Sequence, residues 1–202
     1  MPNSLVAIGI AASALVVSIA TLWLTYFRTG TVRMTRPSVI YFGPDGSRAE
    51  GLLKRPKIFL RALLISNSKR GRVIENMFAT LTRHETKQNF NIWVYGDDQL
   101  VRGSGLHVSE IGIATNHHFL LPPDNSEFRF KGGEYRLEVF ASLLGGANPI
   151  RLLSQTLTVS DPQAGSISTM ECGLYFDWGP QGENYIAHLD KSPKSPTATE
   201  IR

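Results

Sequence analysis

Residues 134–144, EYRLEVFASLL, carry the clearest period of two in the chain. Tyr135, Leu137, Val139, Ala141 and Leu143 fall on one face of an extended segment, and Glu134, Arg136 and Glu138 begin the other. Successive side chains of a strand point to opposite faces, so this alternation predicts a strand buried on one side. Downstream, Gly145-Gly146-Ala147-Asn148 turns the chain into a second strand at 149–159, PIRLLSQTLTV. Upstream, apolar runs recur at 38–42, 57–66, 73–83, 89–95 and 111–121, separated by turn signals such as GPDG at 43–46 and NSKRG at 67–71. The run at 57–66 is apolar at nearly every position and suits a strand covered on both faces. A last strand at 170–178 stops at Gly179-Pro180. Strands at this spacing predict an all-β domain, a sandwich or barrel with antiparallel strands. Beyond the N-terminus, no long segment of helical period stands out.

The N-terminus obeys a different rule. No charged side chain occurs from Met1 to Phe27, and LVAIGIAASALVVSIATLWLTYF at 5–27 is 23 residues long. At about 1.5 Å per residue, a helix of that length crosses a hydrocarbon layer of roughly 30 Å. Ser13, Ser18, Thr21 and Thr25 can bond back to the helix backbone, and Trp23, Tyr26 and Phe27 cluster where an aromatic belt would lie. The alternative is a cleaved signal peptide, which calls for a cationic start that Met1-Pro2-Asn3-Ser4 lacks. Arg28, Arg33 and Arg36 follow the span and none precedes it. Positive flanks tend to stay inside, so the expected arrangement is a single-pass inner-membrane protein with a cytoplasmic domain. A periplasmic domain is the alternative. Ala7, Gly9, Ala11, Ser13 and Ala14 form a weak small-residue pattern through which anchors could associate.

The 202-residue chain has 21 basic and 17 acidic residues, a net charge of +4, distributed unevenly. Positions 28–87 hold 13 Lys and Arg against four Asp and Glu, whereas the remainder holds eight against 13. Solvated surface accounts for this, or attraction of the membrane-proximal part to anionic lipid head groups. The basic residues form no compact run interleaved with aromatics, so nucleic acid is not an expected partner. Cys172 is the single cysteine; no intramolecular disulfide can form, and its neighbours (ECGLYFDW) make it a buried strand residue.

Lys131-Gly132-Gly133-Glu134-Tyr135-Arg136-Leu137-Glu138-Val139 resembles the Gly-x-Tyr-x-Leu-x-Val stretch of immunoglobulin-like sandwiches. In such domains the tyrosine hydroxyl closes a corner by bonding to nearby backbone. The resemblance implies that role for Tyr135 and puts Leu137 where the usual core cysteine stands. Lacking the cysteine pair, the chain shares only the architecture with antibody domains. Trp93 is not assigned the core tryptophan's role, because a strand too many precedes it. As a whole the chain is similar to small bacterial single-pass membrane proteins bearing one sandwich, whose function is not established.

Chemical candidates are few. In ATNHHFLLPP (114–123), His117 shares a strand face with Thr115, Phe119 and Leu121, and His118 shares the other with Asn116 and Leu120. Adjacent histidines in a regular strand cannot both bind one metal, unless a bulge breaks the pleat. A copper or zinc site would need His117 or His118 with a distant residue such as His107, His84 or His188, and would make the chain a metal carrier or enzyme. A copper site could also draw on Met34, Met77 or Met170, which are scattered along the chain. Asp97-Asp98 and Ser104 lie in turn-like surroundings without a partner pattern for acid–base or nucleophilic chemistry. Asn91, Trp93 and Tyr95 share the face of their strand opposite Phe90, Ile92 and Val94. An outward Trp93 and Tyr95 would suit contact with a protein or glycan, unless another strand or the segment 176–190 covers them.

These readings divide the chain into a short N-terminus (1–4), a transmembrane helix (5–27), a basic juxtamembrane linker (28–37), a β-sandwich with C-terminal extension (38–190) and a disordered tail (191–202). The expected role is a non-catalytic interaction or structural module at the membrane, with no cofactor. Its partners are the lipid bilayer and an unidentified protein. Trp23, Tyr26, Arg28, Arg33 and Arg36 secure the anchor, and Asn91, Trp93 and Tyr95 form the contact surface.

Overall fold

The computed structural model describes residues 2–27, 29–45, 55–95, 100–103, 105–122, 127–169, 172–180, 182 and 184–190. The N-terminal run forms helix α1 (Pro2–Leu22), continued by a π-helical turn at Trp23–Phe27. Its hydroxyls bond back one turn: Ser13 to the Gly9 carbonyl, Ser18 to Ala14 and Thr21 to Val17. The segment Ser4–Thr25 is long and apolar enough to cross a membrane, and none of it is buried against the rest of the protein.

The remainder is antiparallel β-structure. Its strands are β1 (Val32–Met34), β2 (Val39–Pro44), β3 (Pro56–Ser66), β4 (Arg72–Arg83), β5 (Thr86–Tyr95), β6 (Leu100–Arg102), β7 (Leu106–Val108), β8 (Ile113–Leu120), β9 (Gly133–Leu143), β10 (Ile150–Val159), β11 (Gly173–Trp178) and β12 (Tyr185–Asp190). A short helix α2 (Asp161–Ser168) separates β10 from β11. Among the described residues the strands join one sheet, ordered β10-β9-β4-β5-β8-β3-β2-β11-β12, with β1 added to β3, β6 to β5 and β7 to β4. Each strand expected from the sequence is present, its ends shifted by a few residues.

Alternation decides which side faces in. On β9, Tyr135, Leu137, Val139, Ala141 and Leu143 are buried, as the period of two requires. On β2 the inward pair is Ile40 and Phe42. The Phe42 ring lies 5.2 Å from Phe130, 5.2 Å from Phe176 on β11 and 6.1 Å from Tyr135 on β9. Strands β2 and β9 are far apart in the pairing order, so the sheet must curl until its halves share one core. At the curl, β10 and the β11–β12 hairpin line a groove of about 280 Å³.

Tyr135 closes a corner in the expected manner. Its hydroxyl donates to the Lys131 carbonyl and accepts from the Lys131 N–H, both at 2.8 Å. Replacing Tyr135 with Phe is expected to destabilise the domain by about 1–3 kcal/mol, because a backbone donor and acceptor lose their partner. Chemical denaturation of the two proteins measures this; equal midpoints would show that the corner contributes nothing.

The structure corrects the sequence reading in several places. Within the stretch expected as a juxtamembrane linker (28–37), residues 32–34 form β1, which pairs with β3; Thr35 N–H donates to Leu63 C=O, and the Tyr185 hydroxyl donates to Pro37 C=O. Gly43-Pro44 does not stop its strand but belongs to β2; Gly46 lies outside the described residues. Helix α2 went unforeseen although Ser160-Asp161-Pro162-Gln163 spells its start. Ser160 and Gln163 cap each other reciprocally, and Pro162 sits in the first turn. Residues 185–190, expected within a C-terminal extension, form strand β12, and Cys172 is half-buried just ahead of β11 rather than within it.

Candidate functional site

Register brings one row of rings together on the outer face of the sheet. Trp93 on β5 is the cross-strand neighbour of His118 on β8, which opposes Phe59 on β3. Phe59 opposes Tyr41 on β2, Tyr41 opposes Tyr175 on β11, and Tyr175 opposes His188 on β12. The row thus crosses six strands. Several neighbours touch: Phe59 and His118 centroids are 5.0 Å apart, Tyr41 and Tyr175 4.9 Å, and Tyr175 and His188 5.5 Å. The inward residues of the same strands, Ile40, Phe42, Ile58 and Leu60, belong to the core, so this row faces the other way. Its middle is nonetheless buried at His118, Phe59 and Tyr41, while His188 is exposed. Gly43 and Gly173 leave room for the Tyr41 ring; a Cβ on Gly43 would come within 2.5 Å of its hydroxyl.

A buried ion pair adjoins the row. Lys57 Nζ stands 3.3 Å from Asp45 Oδ1, with side-chain exposures of 2% and 11%. Burial drives the Lys57 ammonium below its ordinary pKa, and the Asp45 carboxylate pulls it back. The Tyr41 hydroxyl, which donates to Pro44 C=O at 3.0 Å, is pushed up by burial first and then by Tyr175, Asp45, Asp190 and Cys172. His118 is 0% exposed and drops to about 3, through burial and then the Lys57 cation and His117. His117, 2% exposed, drops to about 4 through burial, which a hydrogen bond to the Ala62 backbone partly offsets. Both imidazoles are therefore neutral at physiological pH.

The histidine pair divides as the pleat demands. His117 opposes Leu60 on the core face, and its Nε2 has no hydrogen-bond partner among the described residues. His118 faces Phe59 on the outer side. His107 is elsewhere, exposed on β7 with Nε2 3.4 Å from the Arg70 carbonyl oxygen. Exposed His84 occupies the β4–β5 turn with φ of 49°, and His188 pairs with Asp177 at 3.1 Å. Among the described residues no three His, Cys, Asp or Glu side chains form a group fit for a metal.

Trp93 is half-buried rather than fully outward, with the Arg55 guanidinium 5.8 Å from its ring centroid; Asn91 beside it is also half-buried. Phe90 and Ile92 take the core side, as expected. The 176–190 segment pairs at the β2 edge, in strands remote from β5. The side chains of Tyr95 and Tyr26 lie outside the described residues, as do Arg28, Asp97, Asp98, Ser104, Met170 and 191–202. Trp23 is exposed on the helical run and Arg33 on β1, whereas the Arg36 guanidinium lies 4.1 Å from the Trp178 ring. The sequence hid the Lys57–Asp45 pair because 12 positions separate its members and only the β2–β3 register joins them.

No family model matches this sequence, and no curated protein matches it. Among solved structures the chain is similar to the CooA pilin subunit from enterotoxigenic Escherichia coli, at 10% identity and a TM-score of 0.28. That match covers 61% of this chain and 99% of the pilin subunit. A likeness of this size carries no conclusion about this chain.

Proposed function

We propose that the protein is a membrane-anchored, non-catalytic module of immunoglobulin-like sandwich type, serving protein interaction or structural support at an inner membrane. The observation that carries this reading is the helix itself: Ser4–Thr25 is apolar, of spanning length, and covered by no part of the domain. A lipid environment satisfies such a helix, whose backbone bonds are all internal. The Tyr135 corner supports the immunoglobulin-like type. Asn91 and Trp93, with Tyr95 beside them, are the surface proposed for a protein partner. Arg33 and Arg36 after the span favour a cytoplasmic domain.

Carbonate extraction of native membranes tests the anchor. The full-length chain is expected in the pellet, and a shortened product in the soluble fraction would overturn the reading. A reporter fused after Arg202 tests the side, and activity confined to the periplasm would reverse the orientation. Titration of the purified chain with zinc or copper(I) tests the rival metal reading. Stoichiometric binding that disappears in His117→Leu or His118→Phe would establish it.

A further inference from the structure

The end of the domain nearest the helix has a composition suited to a lipid surface. Three residues, 28–30, separate Phe27 from Thr31, a span of at most about 14 Å. Thr31 is fixed to the sheet by two bonds with Asn67: its N–H donates to Asn67 Oδ1 at 2.6 Å, and its carbonyl accepts from Asn67 N–H at 3.1 Å. The end bearing Asn67 therefore stays near the bilayer whatever the tilt of the helix. Antiparallel register sends other turns to this end. Ser66 N–H donates to Ser109 C=O, tying the 109–112 turn beside Asn67. Arg72, which opens β4, reaches the Leu144 carbonyl of the β9–β10 turn at 3.3 Å.

Two of these turns present large apolar side chains to solvent. Ile111 is 87% exposed, more than any other large hydrophobic among the described residues, those of α1 included, and Leu144 is 55% exposed. Lys69 and Arg70, both exposed, occupy the turn between β3 and β4, and Glu110 is the acidic residue beside Ile111. Exposed apolar tips flanked by cations match the boundary between acyl chains and anionic head groups.

Resting on the anchored reading, we infer that this end docks on an anionic lipid surface, with Ile111 and Leu144 entering the interface and Lys69 and Arg70 meeting phosphate head groups. The docked domain is held against the bilayer and does not swing on its tether.

The test uses the full chain in a Cys172→Ser background, reconstituted into phosphatidylcholine vesicles with or without phosphatidylglycerol. A spin or fluorescent label is placed singly at Ile111→Cys, Leu144→Cys, Glu85→Cys in the β4–β5 turn, or Val16→Cys in α1. With phosphatidylglycerol, lipid-borne quenchers are expected to reach the labels at 111 and 144 but not at 85. Lys69→Glu with Arg70→Glu is expected to lower docking more than tenfold, since each cation is worth roughly fivefold at an anionic surface. Labels at 111 and 144 that stay in water while the label at 16 is in the bilayer would overturn the inference alone. A label at 16 that stays in water would overturn the anchor itself.

Discussion

Acidification from about pH 7 to pH 4 is expected to remove several kcal/mol of stability from the β domain. His117 and His118 titrate near 6.5 when unfolded, but at about 4 and about 3 in the fold. With folded values depressed, the native state holds neutral rings and the unfolded state takes up protons first. Their contribution is complete above about pH 6.5 and is lost as pH falls towards the folded values. Within that window each ring contributes a slope of about 1.4 kcal/mol per pH unit, and the two together rival a typical domain stability of roughly 5–15 kcal/mol. Denaturant melts of the reconstituted chain at several pH values measure the slope. His117→Leu suits the core face beside Leu60, and His118→Phe suits the outer face beside Phe59. The double variant should lose most of the acid sensitivity between pH 6.5 and pH 4, and a slope equal to the wild type's would refute this account of burial.

The second large effect belongs to Lys57 and Asp45. Asp45→Asn leaves a buried ammonium without its carboxylate and is expected to cost about 3–5 kcal/mol. Replacing both partners, Lys57→Met with Asp45→Asn, should recover most of that loss, because no buried charge then needs a partner. A double-mutant cycle reads the coupling, and strict additivity of the two single changes would show that the pair is not coupled. The pair also bears on the first prediction. Lys57 is one of the causes that hold His118 low, so Lys57→Met should raise the His118 value and flatten the acid slope.

Both predictions concern a cluster that the sequence showed only in pieces. Alternation in ATNHHFLL already separated His117 from His118, and the structure keeps them on opposite faces because β8 runs without a bulge against β3. Alternation also set Phe90 and Ile92 inward and Trp93 away from them. What alternation could not supply was depth. Tyr41, Phe59 and His118 lie on the face opposite the core and are buried all the same. Lys57, at the start of a run apolar at nearly every position, carries its charge into the same place and meets Asp45, which follows the end of β2. Helix α2 was legible in Ser160-Asp161-Pro162-Gln163 through its reciprocal cap, but eight residues are too few for a helical period to emerge.

The sequence by itself determined the local facts: an uncharged helix of spanning length, strands with their inward sides and most of the turns. Each follows from the geometry of neighbouring residues, in which side chains repeat every two positions in a strand and every 3.6 in a helix. Only the tertiary structure decided how strands distant in the chain pair and how far the sheet curls. Those two choices place Trp93 beside His118, run a row of rings to His188, and seat Lys57 against Asp45. They also carry Ile111 and Leu144 to the end of the domain tethered to the helix. Pairing between distant strands is set by the packing of the whole core, and no short window of residues contains that information.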